Sequence, residues 1–269
     1  MTRIRTALVG LPLFFVIIKY LPPAVFMVLV AVSVVIASYE MFALAAQGGI
    51  HAHRILGAAL GVVTAYSFYD SRVPTLEILL VALLTIPLVS LVKVGREPGR
   101  AAEGVGAAAV TLMAVLFVGM LMGYIVALLD DGGPRGRDLA VLLFWVVWLA
   151  DAAAYAVGSL WGRRKLIPAI SPGKTVEGAA GALVAAVAAA LVARAWFFTR
   201  LTMRDAIVVG LLLAIAGLLG DLFESMLKRA YRVKDSGAWF PGHGGMLDRT
   251  DSLLFAAPVL FYYHRYFIA

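Results

Sequence analysis

Hydrophobic positions in this chain come as successive long runs, broken by short polar, basic or Pro/Gly stretches. A helix that crosses a bilayer needs about 20 mostly apolar residues. By that measure the runs predict helices over 6–21, 24–46, 54–70, 75–94, 105–129, 138–160, 178–198, 205–228 and 251–268. The first and third are short for a span. Pro22-Pro23, Gly48-Gly49, Pro98-Gly99 and Asp131-Gly132-Gly133-Pro134 punctuate the runs as turns. The Ala/Gly-rich run from Gly178 to Ala190 predicts a helix packed closely on its neighbours. The expected fold is all-α, a polytopic integral membrane protein with about nine transmembrane helices. Along the chain it divides into N-terminal transmembrane helices (1–100), middle helices that offer a dimer region (101–160), and C-terminal catalytic helices with their loops (161–269).

Composition agrees: 62% of residues are hydrophobic and 14% charged, with mean hydropathy +0.94, against about 45–50% and about 25% in soluble domains. A net charge of +7 would also suit a nucleic-acid binder, but the basic residues sit in short loops between apolar runs. That arrangement fits the positive-inside bias and anionic headgroups, so no nucleic-acid partner is expected. With Cys 0, disulfides and thiolate metal sites are excluded. Arg3 and Arg5 before an apolar run resemble a signal peptide, but Leu21-Pro22-Pro23 follows instead of a small-x-small cleavage site, so an uncleaved first helix is expected. With the N-terminus in the cytoplasm, most basic loop residues lie inside, and loops 161–177 and 229–250 face the cytoplasm.

The chemistry concentrates between Gly220 and Ser252. Asp221, Glu224, Ser225 and Lys228 fall at i, i+3, i+4 and i+7 and share one helical face. Asp221 would lie about 10 Å below the helix end, where an unpaired carboxylate is costly. Asp248 and Asp251, also i and i+3, begin the last helix; the bland reading of such residues is N-capping. Two acidic faces near one loop favour a cation instead, because clustered carboxylates repel unless neutralised. Hard oxygen ligands of this kind select Mg²⁺. Between the faces lie Lys234, Asp235, Gly237, Pro241, Gly242, His243, Gly244 and Gly245. Glycines let backbone N–H groups approach and cradle a phosphate. Lys228, Arg229, Lys234 and Arg249 offer cations for phosphate oxygens. A second cluster, Ser171-Pro-Gly-Lys174-Thr175-Val-Glu177-Gly178, has the residues of an anion-binding helix start but not the Walker A frame. Asp151 either lines the same cavity or hydrogen-bonds Tyr155 at i+4.

Ser225-x-Leu227-Lys228-Arg229, then Lys234-Asp235-x-Gly237, then Phe240-Pro241-x-His243-Gly244-Gly245-Met246-x-Asp248-Arg249-Thr250-Asp251 resembles the hallmark of the phosphatidate cytidylyltransferases, or CDP-diacylglycerol synthases. Ser171-Pro-x-Lys174-Thr175-x-Glu177-Gly178 and Asp151 with Tyr155 also match. The resemblance is detailed in the C-terminal half and generic in the N-terminal half. It implies that CTP and phosphatidic acid give CDP-diacylglycerol and pyrophosphate, in an inner-membrane homodimer with a two-cation centre: Mg²⁺ beside a second cation such as K⁺. Carried over by position, the metal residues are Asp221, Glu224, Asp248 and Asp251, with Asp151 near them. Lys228, Arg229, Lys234, His243 and Arg249 would be catalytic, His243 by shaping or hydrogen bonding. Ser171, Lys174, Thr175, Glu177, Ser225, Asp235, Gly244 and Gly245 would bind substrate. Rival readings are a CTP-dependent lipid kinase, which would release CDP, and a cation-coupled transporter using the intramembrane acids. No inverted repeat supports the transporter, and the D-G-x-x-A-R frame of a CDP-alcohol phosphotransferase is absent.

Overall fold

The structure is a computed structural model and describes residues 15–95, 100–129, 134–233, 235–237 and 244–268. Helical turns over 15–20 (α1) lead into α2 (Pro23–Gln47), α3 (Arg54–Ser67), α4 (Thr75–Val94) and α5 (Ala101–Met113). A π-helical stretch, Ala114–Met120, joins α5 to α6 (Leu121–Leu129), and α7 spans Pro134–Trp161. After a short ribbon come α8 (Val176–Trp196), α9 (Met203–Ala230) and α10 (Leu247–Tyr263), which closes in a second π-helical stretch, His264–Ile268. Each expected apolar segment is therefore helical among the described residues. Six helices there are long and apolar enough to cross a membrane, counting Ala101–Leu129 as one. The expected count of about nine spans is not reached by that measure: α3 has 14 residues, α10 has 17, and most of the expected first helix, 6–21, lies outside the described residues.

The chain separates into two compact units: Ala24–Ala127 with Ala230–Arg249, and Met1–Pro23 with Leu128–Arg229 and Thr250–Ala269. In the first, α2 buries Val30, Val34, Ala37, Met41 and Ala45, a stripe repeating every three to four residues. α4 buries only Ala82, Ile86 and Ser90, and leaves Leu80, Leu84, Leu88 and Leu91 exposed. So much uncovered leucine suits hydrocarbon rather than water. α3 packs on the π-helical stretch through small residues: a Cβ on Gly119 would lie 2.6 Å from the Gly61 Cα. Glycine contacts of this kind let membrane helices approach closely.

In the second unit α8 buries Ala182, Ala186, Ala189, Ala190 and Ala193, the close packing that its Ala/Gly content predicts. A Cβ on Gly181 would meet the Val157 side chain of α7 at 2.7 Å. The all-α expectation holds among the described residues, with one short ribbon beside the helices. Lys165–Ile167 (β1) and Ser171–Thr175 (β2) form an antiparallel ribbon, Lys165 opposite Thr175 and Ile167 opposite Ser171. The ribbon hands its last residue to α8 as a cap: Thr175 is extended and its Oγ1 accepts from the Gly178 N–H at 3.1 Å.

Candidate functional site

The helical periodicity of α9 sets Asp221, Glu224, Ser225 and Lys228 on one face, and α10 brings Asp251 against it. Gly217 and Gly220 permit the approach. A Cβ on Gly217 would sit 3.5 Å from the Ser252 Cβ, and one on Gly220 would collide with the Asp251 carbonyl oxygen. Asp221, Glu224 and Asp251 consequently each present an oxygen within 4.8 Å of the others. Three carboxylates so close repel one another, and cations hold them together. Lys174 Nζ lies 2.5 Å from Asp221 Oδ2, and Lys228 pairs with the fully buried Glu224. The Ser225 hydroxyl donates to Asp221 Oδ1 at 3.4 Å. Asp251 Oδ1 accepts from the Ser252 N–H at 2.7 Å, and the Ser252 hydroxyl donates to Asp151 Oδ1 at 3.5 Å. Three hard oxygen donors converging on one point fit a divalent cation such as Mg²⁺ or Ca²⁺.

The other unit holds a second pair of acids in a different way. Glu40, on α2, is buried at 3% exposure. Its Oε1 accepts from the Met246 N–H at 2.9 Å, and its Oε2 accepts from the Leu247 N–H at 2.8 Å and the Ser236 hydroxyl at 3.2 Å. Asp248 Oδ2 accepts from the Ser236 N–H at 3.0 Å, the Ser236 hydroxyl at 2.8 Å and the Gly245 N–H at 2.9 Å. Glycine is required around these acids. A Cβ on Gly237 would lie 2.5 Å from Glu40 Oε1, and one on Gly245 would collide with the same oxygen. Gly244 has φ +79, and a Cβ there would lie 2.7 Å from Asp248 Oδ2. The glycines at 237, 244 and 245 thus pack on carboxylates of the protein itself.

Residues 1–267 match the model of the Cytidylyltransferase family. The chain belongs to that family. It is 43% identical over 153 residues to the phosphatidate cytidylyltransferase of Staphylococcus haemolyticus (strain JCSC1435), covering 57% of each chain. It is 43% identical over 152 residues to the enzyme of the same name from Bacillus subtilis (strain 168), covering 56% of this chain and 55% of the relative. An uncharacterized protein of Escherichia coli (strain K12) is 45% identical over 131 residues, 49% of this chain and 44% of that one. The matches therefore span about half the length of these relatives.

Set against the residues expected from sequence, the family motif divides. Asp221, Glu224, Asp251, Lys174, Lys228 and Ser225 come together in one unit, with Asp151 joined through Ser252. Of the two alternatives for Asp151, the Tyr155 bond does not form: Tyr155 is 80% exposed, and the bond seen is to Ser252. Asp248, Gly244 and Gly245 lie in the other unit with Glu40, where Asp235 and Arg249 are exposed. Thr175 caps α8, and Glu177 accepts from the N–H groups of Arg163 at 3.0 Å and Arg164 at 3.2 Å. Ser171 pairs within the ribbon, and the Arg229 guanidinium donates to the Ile170 carbonyl at 3.2 Å. Lys234 and His243, with Pro241 and Gly242, lie outside the described residues. Glu40 was not among the residues expected from sequence; its signal is the single charged residue of a 25-residue, mostly apolar helix.

Proposed function

We propose that this chain is a phosphatidate cytidylyltransferase, converting CTP and phosphatidic acid to CDP-diacylglycerol and pyrophosphate. The observation that carries the reading is the convergence of Asp221 and Glu224, just before the motif, with Asp251 at its end, their oxygens within 4.8 Å, in a cytidylyltransferase-family membrane protein. Relatives that carry the activity in their names support it.

In this reading an oxygen of the lipid phosphate attacks the α-phosphorus of CTP. The bond from that phosphorus to the bridging oxygen of the β-phosphate breaks, and pyrophosphate leaves with the electron pair. A phosphomonoester is largely dianionic at neutral pH, so no strong general base is needed. The difficulty is bringing two anions together, and the acidic cluster alone would repel both. Mg²⁺ held by Asp221, Glu224 and Asp251 would supply neutralisation and in-line alignment, with K⁺ as the second cation of the centre. Lys174 and Lys228, released from their carboxylates, would then face phosphate oxygens and stabilise the charge developing on pyrophosphate. Asp248 would serve by holding the loop, with His243 shaping it, and Arg229, Lys234 and Arg249 adding positive charge. A homodimer through the middle helices, placed in the inner membrane with loops 161–177 and 229–250 toward the cytoplasm, completes the proposal.

The test is purified protein with CTP labelled in either the cytosine or the γ-phosphate, phosphatidic acid and Mg²⁺. The expected products are cytidine-labelled lipid and labelled pyrophosphate, with neither formed in EDTA. Release of CDP together with labelled phosphate on lipid would replace the transferase by a kinase. Full turnover in EDTA would remove the cation from the mechanism.

A further inference from the structure

The unit containing α2 to α6 carries a polar construction that the proposed reaction does not use. His53, immediately before α3, is buried, as are Ser90 on α4 and Thr111 on α5. His53 Nε2 lies 2.6 Å from Ser90 Oγ, and Lys93 Nζ lies 3.2 Å from His53 Nδ1. An ammonium can only donate, so Nδ1 accepts, and the imidazole proton sits on Nε2, facing Ser90. Burial, and then the Lys93 charge, lower the His53 pKa and favour this neutral form. The His53 N–H donates to Thr111 Oγ1 at 3.0 Å, and that hydroxyl donates to the Ala107 carbonyl at 2.6 Å. The chain of bonds ends on an ammonium whose other hydrogens have no carboxylate partner among the described residues.

Lys93 stands at a cavity of about 380 Å³ lined by His51, His53, Ser90, Arg100, Glu103 and Gly104. Among the described lining residues the one acid is Glu103, which is taken by the Arg100 guanidinium at 2.7 Å, so Lys93 leaves that lining with positive charge. A lysine in the last turn of a helix is ordinarily explained by the helix dipole. That explanation requires no buried His–Ser pair behind the lysine, and such a pair costs desolvation. What the pair adds is a ring nitrogen that accepts from the exposed Lys93 ammonium at 3.2 Å, at the end of an apolar helix. Below it on α4 run the exposed Leu84, Leu88 and Leu91, a surface for acyl chains.

We propose that this cavity is an anion site for the phosphate of an anionic phospholipid headgroup, with Lys93 as its principal cation, Arg100 at its rim and the lipid chains along α4. Basic pockets between helices near the membrane surface take headgroups in this way. The site belongs to a different unit from the Asp221, Glu224 and Asp251 cluster and is given no part in the chemistry proposed there.

Native mass spectrometry of the full chain in detergent tests it, with phosphatidylglycerol, phosphatidylcholine and inorganic phosphate added separately and in competition. Wild type is expected to retain one phosphatidylglycerol in preference to phosphatidylcholine. Lys93→Gln should bind it about five-fold more weakly, the worth of one basic residue at an anionic surface, and Lys93→Arg should restore retention. Displacement by millimolar inorganic phosphate would support the oxyanion site and assign it to phosphate alone; resistance to displacement would support the lipid as occupant. Arg100→Gln, altered at the exposed rim, is the second variant should Lys93→Gln fail to fold, and it should weaken retention in the same direction. Equal retention by wild type and every folded variant overturns the proposal.

Discussion

Two sets of carboxylates in this molecule are held by opposite means. Asp221 and Glu224 face the ammonium groups of Lys174 and Lys228. Glu40 and Asp248 face peptide N–H groups and the Ser236 hydroxyl. An ammonium rides on a flexible four-carbon stem and can withdraw when another cation takes its place. A peptide N–H cannot withdraw without moving the backbone, and a buried one left unbonded is expensive. The first set is therefore suited to exchange and the second to holding a loop. Proximity to the motif does not separate them, since Asp248 and Asp251 are three residues apart on one helix. The partner does.

The difference is broken most directly by removing charge and keeping shape. Asp221→Asn and Asp251→Asn are each expected to lower kcat by about 10²–10³-fold, the scale for losing one electrostatic contact in a reaction of this kind. Their melting temperature without divalent ions should not fall, because each substitution relieves repulsion within the cluster. Activity in detergent and a thermal melt in EDTA measure the two. A melt lowered as much as activity would show these acids to be structural after all.

Glu40 should behave in the reverse order. Glu40→Ala leaves the Met246 and Leu247 N–H groups without their acceptor, at about 1–3 kcal/mol for each buried donor. Several degrees of melting temperature should be lost with or without divalent ions. Glu40→Gln keeps one acceptor oxygen and turns an NH₂ toward a peptide N–H, so its melt should fall between those of the alanine variant and wild type. A Glu40→Gln protein that melts like wild type would end the claim that peptide donors need both oxygens.

Much of the first set was legible in the sequence, because a helix repeats every 3.6 residues and the spacing 221, 224, 225, 228 fixes one face without tertiary knowledge. Asp251 was legible as an acid near the same loop, but its place against α9 was not, since nothing local says that α10 packs on that face. The glycines that allow it, Gly217 and Gly220, look in sequence like any small residues in an oily helix. The second set was half legible. Gly237, Gly244 and Gly245 were read as room for a phosphate, and the structure fills that room with Glu40 and Asp248. Glu40 lies about 200 positions from its partners, a distance that no periodicity spans. The ribbon was not legible either: strands of three and five residues containing Pro172 and Gly173 carry no alternation to read.

Gly220→Ala sharpens the comparison from the packing side. Its methyl would meet the Asp251 carbonyl, so α9 and α10 must separate at the point where the carboxylates converge. Overpacking of this kind costs about 1–3 kcal/mol. The expected result is reduced activity at saturating substrates with a higher Mg²⁺ requirement, since the separation falls within the proposed cation site. An activity loss that added Mg²⁺ does not reduce at all would place the damage elsewhere.

The smallest effect belongs to Thr175, a holding group in the unit that carries the exchangeable acids. Its hydroxyl oxygen accepts from the Gly178 N–H, and the side chain lies against Gly158 and Gly162. Loss of such a cap costs about 1 kcal/mol, so Thr175→Ala should lower the melting temperature slightly, and Thr175→Ser should recover it. Lys174, the preceding residue, is the partner of Asp221, so a frayed α8 start should reach the cluster only as a modest activity loss that follows the loss of stability. The sequence placed Thr175 among the substrate-binding residues, and the two assignments part here. If Thr175→Ala loses ten-fold or more in kcat/KM while its melt stays at the wild-type value, the hydroxyl meets substrate. A hydroxyl bonded to a peptide N–H would then be doing chemistry, as is proposed for Asp251 beside its own bond to the Ser252 N–H, and the nature of the partner would set apart only Asp221 and Glu224.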